Sequence, residues 1–159
     1  MDVGAFLAVF FRWLHIVAAT VVIGGAFFMR FVLPAAMQSQ DEAARNQTVT
    51  GCRAIFKRVV HGCIALLLLS GIYNSIRMFP QYAADPSVLH GLWAAHLLLA
   101  LGAFGLSIWL FLGERPAAAN NRWLAANLVL LVVVVAVGSA LKSSRESRTT
   151  TSPAPVQDR

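Results

Sequence analysis

Four long apolar runs constrain the fold of this chain most strongly, because about 20 apolar residues are enough for a helix to cross a bilayer. They cover residues 6–33, 54–76, 89–112 and 123–141. Hydrophobic residues make up 58% of the 159 residues and charged residues only 13%, roughly half the charged share of a soluble domain. The sequence therefore predicts an all-α integral membrane protein that contacts membrane lipid.

Short connections separate the runs, so consecutive helices should lie side by side in opposite directions. We predict a four-helix up-down-up-down bundle over residues 1–142, with polar loops at 34–53, 78–88 and 113–122. Residues 143–159 are rich in Ser, Thr, Arg and Pro and cannot bury a core. We expect this segment to be a disordered polar tail.

The distribution of positive charge predicts the orientation of the bundle. The chain has a net charge of +6. Its Lys and Arg residues at loops one and three are Arg45, Arg53, Lys57, Arg58, Arg115 and Arg122, and those at the other end are Arg77, Lys142, Arg145 and Arg148. Cytoplasmic loops are enriched in such residues, so we expect loops one and three to be cytoplasmic, in a bacterial inner membrane. No basic block interleaved with aromatic residues is present, which argues against nucleic-acid binding.

Three histidines lie inside the apolar runs, where a side chain that needs a polar partner is costly and usually marks function. His15 follows the interfacial residue Arg12 by about one turn, and His96 follows Trp93 by about one turn. Because the first and third helices run in the same direction, we expect His15 and His96 at similar depth. His61 should lie near the opposite membrane face.

Two imidazoles at one depth leave three interpretations open. The first is b-type haem with two axial histidines, its propionates bound by Arg12. The second is copper, for which imidazole and thioether are suitable ligands; Met29 lies on the same helical stripe as His15. The third is no metal, with the rings hydrogen-bonded to the backbone, to Ser70 or Ser107, or to one another.

Other candidate residues are less specific. Arg30 either extends its charge toward the headgroups or binds an anionic group such as a haem propionate. His61 is a candidate ligand for a second haem. Cys52 and Cys63 lack metal-ligand spacing, and we expect two free thiols. No nucleotide-binding, serine-hydrolase or zinc-protease motif occurs.

Three segments carry a family resemblance: RWLHIV at 12–17, VIGGAFFMRFV at 22–32 and LWAAHLLLA at 92–100. They resemble a membrane superfamily that contains the CopD-type copper-resistance domain and the HemJ-type protoporphyrinogen oxidase. Those proteins open with a Leu-His or Phe-His pair, then an apolar stretch with Gly and an Arg before a turn; His15 and Arg30 match these positions. The resemblance implies a small helical membrane protein whose His15 handles haem, porphyrin or copper.

This chain departs from the HemJ branch at His96, where that branch usually has Lys. Two histidines favour haem ligation over oxidase activity. We therefore expect a b-type haem protein that transfers electrons with a redox partner protein or a quinone. The alternatives are a CopD-like copper transporter, a HemJ-like protoporphyrinogen oxidase and a structural subunit. The small residues of the helices would also permit a homo-oligomer.

Overall fold

The computed structural model describes residues 2–82, 86–112 and 117–151, which are helical apart from residue 2 and a turn at 37–41. Helix α1 (Val3–Phe27) continues through a π-helical segment (Phe28–Val32) into the short helix α2 (Leu33–Ala36). Three long helices follow: α3 (Glu42–Tyr82), α4 (Pro86–Leu112) and α5 (Ala117–Thr151).

Four stretches within these helices are long and apolar enough to cross a membrane. They are Val3–Ala36, Glu42–Met78, His90–Phe111 and Asn121–Ser144. Large apolar side chains on their outer faces are exposed, including Trp13, Leu98 and Val129, and such faces suit contact with lipid. The predicted all-α four-helix membrane fold is confirmed.

The helices pack as a ring of four. The most extensive contacts join α1 to α3 and α4 to α5, while α3 also packs against α4 and α1 against α5. This order places α1 and α4 diagonally across the bundle. Helices α1 and α4 begin at the end of the bundle where α3 and α5 terminate, and we call this the N-terminal end. The other end, with loops one and three, is the loop end.

Small side chains form much of the core. The main buried cluster combines three residues of α1 with residues of the other three long helices: Ala18, Val22, Ala26, Cys63, Leu67, Ala103 and Leu131. Alanine and glycine let helices approach closely in a membrane, where packing drives their association. At Gly25 an added Cβ would overlap the ring of Phe56, so a side chain there would force this ring to move where α1 meets α3.

The structure has more helix than the sequence predicts at each predicted loop and in the tail. Residues 78–82 and 86–88 of the predicted second loop and 117–122 of the predicted third loop are helical. Helix α3 begins at Glu42, inside the predicted first loop, because Asp41 Oδ1 accepts a hydrogen bond of 2.8 Å from the Ala44 amide and caps the helix. Helix α5 continues through Thr151, so this part of the expected disordered tail is helical. Extending a formed helix adds one hydrogen bond per residue, which favours its continuation.

Some sequence predictions lie outside the described residues. They concern 83–85 of loop two, 113–116 of loop three with Arg115, and 152–159 of the tail.

Candidate functional site

His15 lies half-buried on α1 and faces α3. Its Nδ1 lies 2.9 Å from Ser70 Oγ, and Ser70 is fully buried. Ser70 Oγ is also 2.6 Å from the Leu66 carbonyl, which can only accept a hydrogen bond. A hydroxyl has a single hydrogen, so Ser70 donates it to Leu66 and accepts from His15 Nδ1–H. The proton of His15 is thereby placed on Nδ1.

His96 has the same arrangement on the diagonal helix. It is half-buried on α4, and its Nδ1 donates to the Val134 carbonyl of α5 at 3.1 Å. Since a carbonyl only accepts, Nδ1 must carry the hydrogen here as well. In a neutral imidazole the other nitrogen then has a free lone pair. His15 and His96 therefore each present Nε2 as a potential ligand.

A glycine of the neighbouring helix makes room for each ring. A Cβ added at Gly138 of α5 would lie 3.1 Å from His96 Cε1 and 3.2 Å from its Nδ1, closer than an ordinary van der Waals contact. A Cβ at Gly71 of α3 would lie 3.6 Å from His15 Cε1, an ordinary contact. A methyl group at Gly138 would therefore displace the ring of His96 by a few tenths of an ångström, whereas the ring of His15 would tolerate one at Gly71.

The two imidazoles belong to one region of the bundle. They are close enough for their positively charged forms to interact electrostatically. His15 contacts residues 70–71 of α3 and His96 contacts residues 134–138 of α5, all within about two to three turns of the N-terminal end. The similar depth inferred from the sequence agrees with these contacts.

Aromatic side chains lie between this histidine pair and the N-terminal end. Trp93 Nε1 donates to Ser75 Oγ at 3.1 Å and so connects α4 to α3. Phe11 of α1 stacks on Tyr73 of α3 with ring centroids 4.2 Å apart. These contacts join the same helices that carry and support the histidines, and they brace the site on its N-terminal side.

Arg12 and Arg30, both predicted anion-binding residues, occupy different levels of the bundle. Arg12 is exposed on α1 less than one turn before His15. Arg30 lies half-buried in the π-helical segment. The helix rises about 20 Å between His15 and Arg30, at about 1.5 Å per residue. Of the two arginines, Arg12 therefore lies at the level of the histidine pair.

His61 and Met29 are not brought to the histidine pair. His61 Nδ1 donates to the Lys57 carbonyl of its own helix at 2.6 Å. It precedes Ser70 on α3 by about 13 Å of helix rise. Met29 is half-buried in the π-helical segment near the loop end. A second haem at His61 and a ligand role for Met29 stay predictions.

The described residues offer a pair of imidazoles and no larger ligand cluster. No group of three or more His, Cys, Asp or Glu side chains suited to a metal is found among them. Cys52 and Cys63 are free thiols, as expected from their spacing.

Several supporting groups were not assigned a specific role from the sequence. Ser70 was one of several suggested partners, whereas Gly71, Gly138 and the Val134 carbonyl were not singled out as contacts of a ring. In the sequence these positions are only small or apolar residues within a helix, which does not indicate a contact with a histidine. Which glycine faces which histidine depends on how the helices pair.

No protein-family model, curated protein or solved structure matches this chain. The resemblance to CopD-type and HemJ-type proteins therefore stays a prediction based on the segments described above.

Proposed function

We propose that this chain is a membrane b-type haem protein in which His15 and His96 would hold the haem iron. The main support is that a hydrogen bond from Nδ1 orients each ring and leaves Nε2 with its lone pair. Histidine ligands in metalloproteins almost always donate their second N–H in this way, which fixes the tautomer and increases the basicity of the ligating nitrogen. This pattern appears at both members of the pair.

The alternative without a metal also predicts hydrogen bonds to Ser70 and to the backbone. It does not require Nδ1 of both rings to be hydrogen-bonded, or two diagonal helices to present them in one region of the core. Two axial imidazoles are also a complete protein ligand set for haem iron. The donor set therefore fits haem, and small residues such as Ala18 and Ala103 line the adjacent core.

The proposed role is electron transfer. When bound, haem supplies one-electron redox chemistry, and the protein adjusts its potential through ligands, burial and hydrogen bonding. In this chain Ser70 and the Val134 carbonyl orient the ligands, the apolar helices limit water, and Arg12 is suited to pair with a propionate near the membrane surface. A quinone or a redox protein would be the partner. The same proposal includes a bacterial inner-membrane location, with loops one and three in the cytoplasm, and homo-oligomerisation.

An optical spectrum of the purified protein tests the proposal. Expression with sufficient haem, followed by purification in detergent, should give a sharp α-band and a Soret shift in the reduced-minus-oxidised spectrum. His15→Ala and His96→Ala should each abolish the band, whereas His90→Ala, on the same helix as His96, should retain it. Absence of the band in the wild type, or its retention in both ligand variants, would rule out the assignment.

Copper transport and porphyrinogen oxidation are separate outcomes of further experiments. Copper transport predicts changed metal tolerance on expression and a purified protein without a haem band. Porphyrinogen oxidation predicts rescue of a strain that lacks this step. No contact among the described residues favours either alternative over haem.

A further inference from the structure

Arg30 is a charged side chain with an unused donor near the loop end of the bundle. It lies in the π-helical segment, and its guanidinium carbon is 4.7 Å from the centre of the Phe31 ring. Its Nε is buried and has no hydrogen-bond partner. A buried donor without an acceptor costs free energy, and more so when the group is charged. Arg30 is therefore expected to have a ligand.

The acidic residue that follows α2 does not provide that ligand. Asp41 accepts from the Ala44 amide. Among the residues that the structure describes, no carboxylate forms an ion pair with Arg30. An acceptor for the guanidinium would come from outside the described residues. It would meet the terminal N–H groups, because Nε itself is enclosed by the protein.

The surroundings of Arg30 indicate an anion attached to an apolar molecule. Phe27, Phe28 and Phe31 are 50%, 44% and 46% exposed, so aromatic surface faces the lipid beside the guanidinium. Arg30 precedes the end of α2 by less than two turns and so lies near the headgroup level of the loop end. The π-helical segment also packs against α5. A ligand here would meet a cation and apolar surface together.

The loop end as a whole has excess positive charge. Arg45 is exposed in the first turn of α3, and Arg122 is exposed near the start of α5. Basic groups at a membrane surface attract anionic lipids. A guanidinium is also well suited to phosphate, because its parallel N–H groups contact two oxygens at once. Charge, depth and apolar surface therefore favour the same kind of ligand.

We propose that Arg30 binds the phosphate of an anionic phospholipid, with an acyl chain along Phe27, Phe28 and Phe31. The π-helical segment supports this assignment, since such interruptions of α-helices frequently occur at functional sites. The site is independent of the proposed haem site, because about 20 Å of helix rise separates Arg30 from His15.

Lipid titration of the full-length protein in a neutral detergent, followed by native mass spectrometry, tests this proposal. The probes are phosphatidylglycerol, phosphatidylcholine and inorganic phosphate. The wild type should bind phosphatidylglycerol in preference to phosphatidylcholine. Arg30→Gln should weaken phosphatidylglycerol binding about tenfold, the effect of losing a charge-assisted hydrogen bond. Arg45→Gln, a loss of the same charge from an exposed residue at the same end, should change it less than about twofold.

Several results would overturn the proposal. They are equal binding of the two lipids, unchanged binding in Arg30→Gln, or displacement of the lipid by inorganic phosphate at equal concentration. Loss of a haem band in Arg30→Gln with lipid binding retained would assign the side chain to the cofactor. If Arg30→Gln does not fold, Arg30→Lys is the second variant. It retains the charge but lacks the planar pair of parallel N–H groups that contacts two oxygens at once, so wild-type affinity in that variant would also contradict the proposal.

Discussion

Substitution of Gly138 by Ala tests whether helix α5 positions His96. The new Cβ would lie 3.1 Å from His96 Cε1 and 3.2 Å from Nδ1, whereas ordinary contacts begin near 3.4 Å. The ring must therefore shift by a few tenths of an ångström. The Nδ1 to Val134 carbonyl distance is already 3.1 Å, near the upper limit of a good hydrogen bond. We expect the shift to weaken or break this bond.

The expected loss follows from the role of the bond. Removing the partner that orients a ligating histidine typically lowers metal affinity by about 10- to 100-fold. We therefore expect Gly138→Ala to weaken haem binding by about that factor. Gly71→Ala is the matched control, because its Cβ would meet His15 at an ordinary distance of 3.6 Å. This variant should keep haem affinity within about threefold and gain up to about 1 kcal/mol of stability from its higher helix propensity.

Haem titration of the apoprotein in detergent measures the affinities, and thermal unfolding followed by circular dichroism monitors folding. Nitrogen-15 spectra of the histidine side chains provide a test without haem, since the His96 Nδ1–H signal should move in Gly138→Ala and remain in Gly71→Ala. Unchanged haem affinity and an unchanged His96 signal in Gly138→Ala would refute the reasoning. An equal loss in both variants would show that the contact distance does not decide the outcome.

Three further predictions concern stability in detergent. Ser70→Ala removes the acceptor of His15 Nδ1–H. It should lower the free energy of unfolding by about 1–3 kcal/mol and weaken haem binding. A melting curve and a haem affinity equal to those of the wild type would contradict this. Gly25→Ala should destabilise by about 1–3 kcal/mol because its Cβ overlaps the Phe56 ring, whereas Gly24→Ala meets nothing within 4 Å and should not; equal melting temperatures would disprove the overlap. Asn127 donates to Ser107 at 2.8 Å while its Oδ1 is buried without a partner. Ser107→Ala should therefore cost about 1–3 kcal/mol, whereas Ser107→Ala with Asn127→Leu should be close to neutral in chemical unfolding.

The helical membrane class and the approximate spans follow from the sequence because each residue in a bilayer must satisfy its backbone hydrogen bonds within its own segment. The depth of His15 and His96 could also be estimated, since helix rise per residue is constant and interfacial residues mark the helix ends. Helix ends were less predictable. The cap at Asp41 and the continuation of α5 to Thr151 depend on local hydrogen bonds that compete with loop formation.

Side-chain contacts between helices depended on tertiary packing. The apolar runs do not indicate which helices contact each other, so the sequence alone could not assign Gly71 to His15 or Gly138 to His96. The tautomers inferred for both rings arise from the same packing, because Ser70 and the Val134 carbonyl become partners only when α1 meets α3 and α4 meets α5. Composition and periodicity describe each helix separately, whereas the histidine pair is a property of four helices packed together.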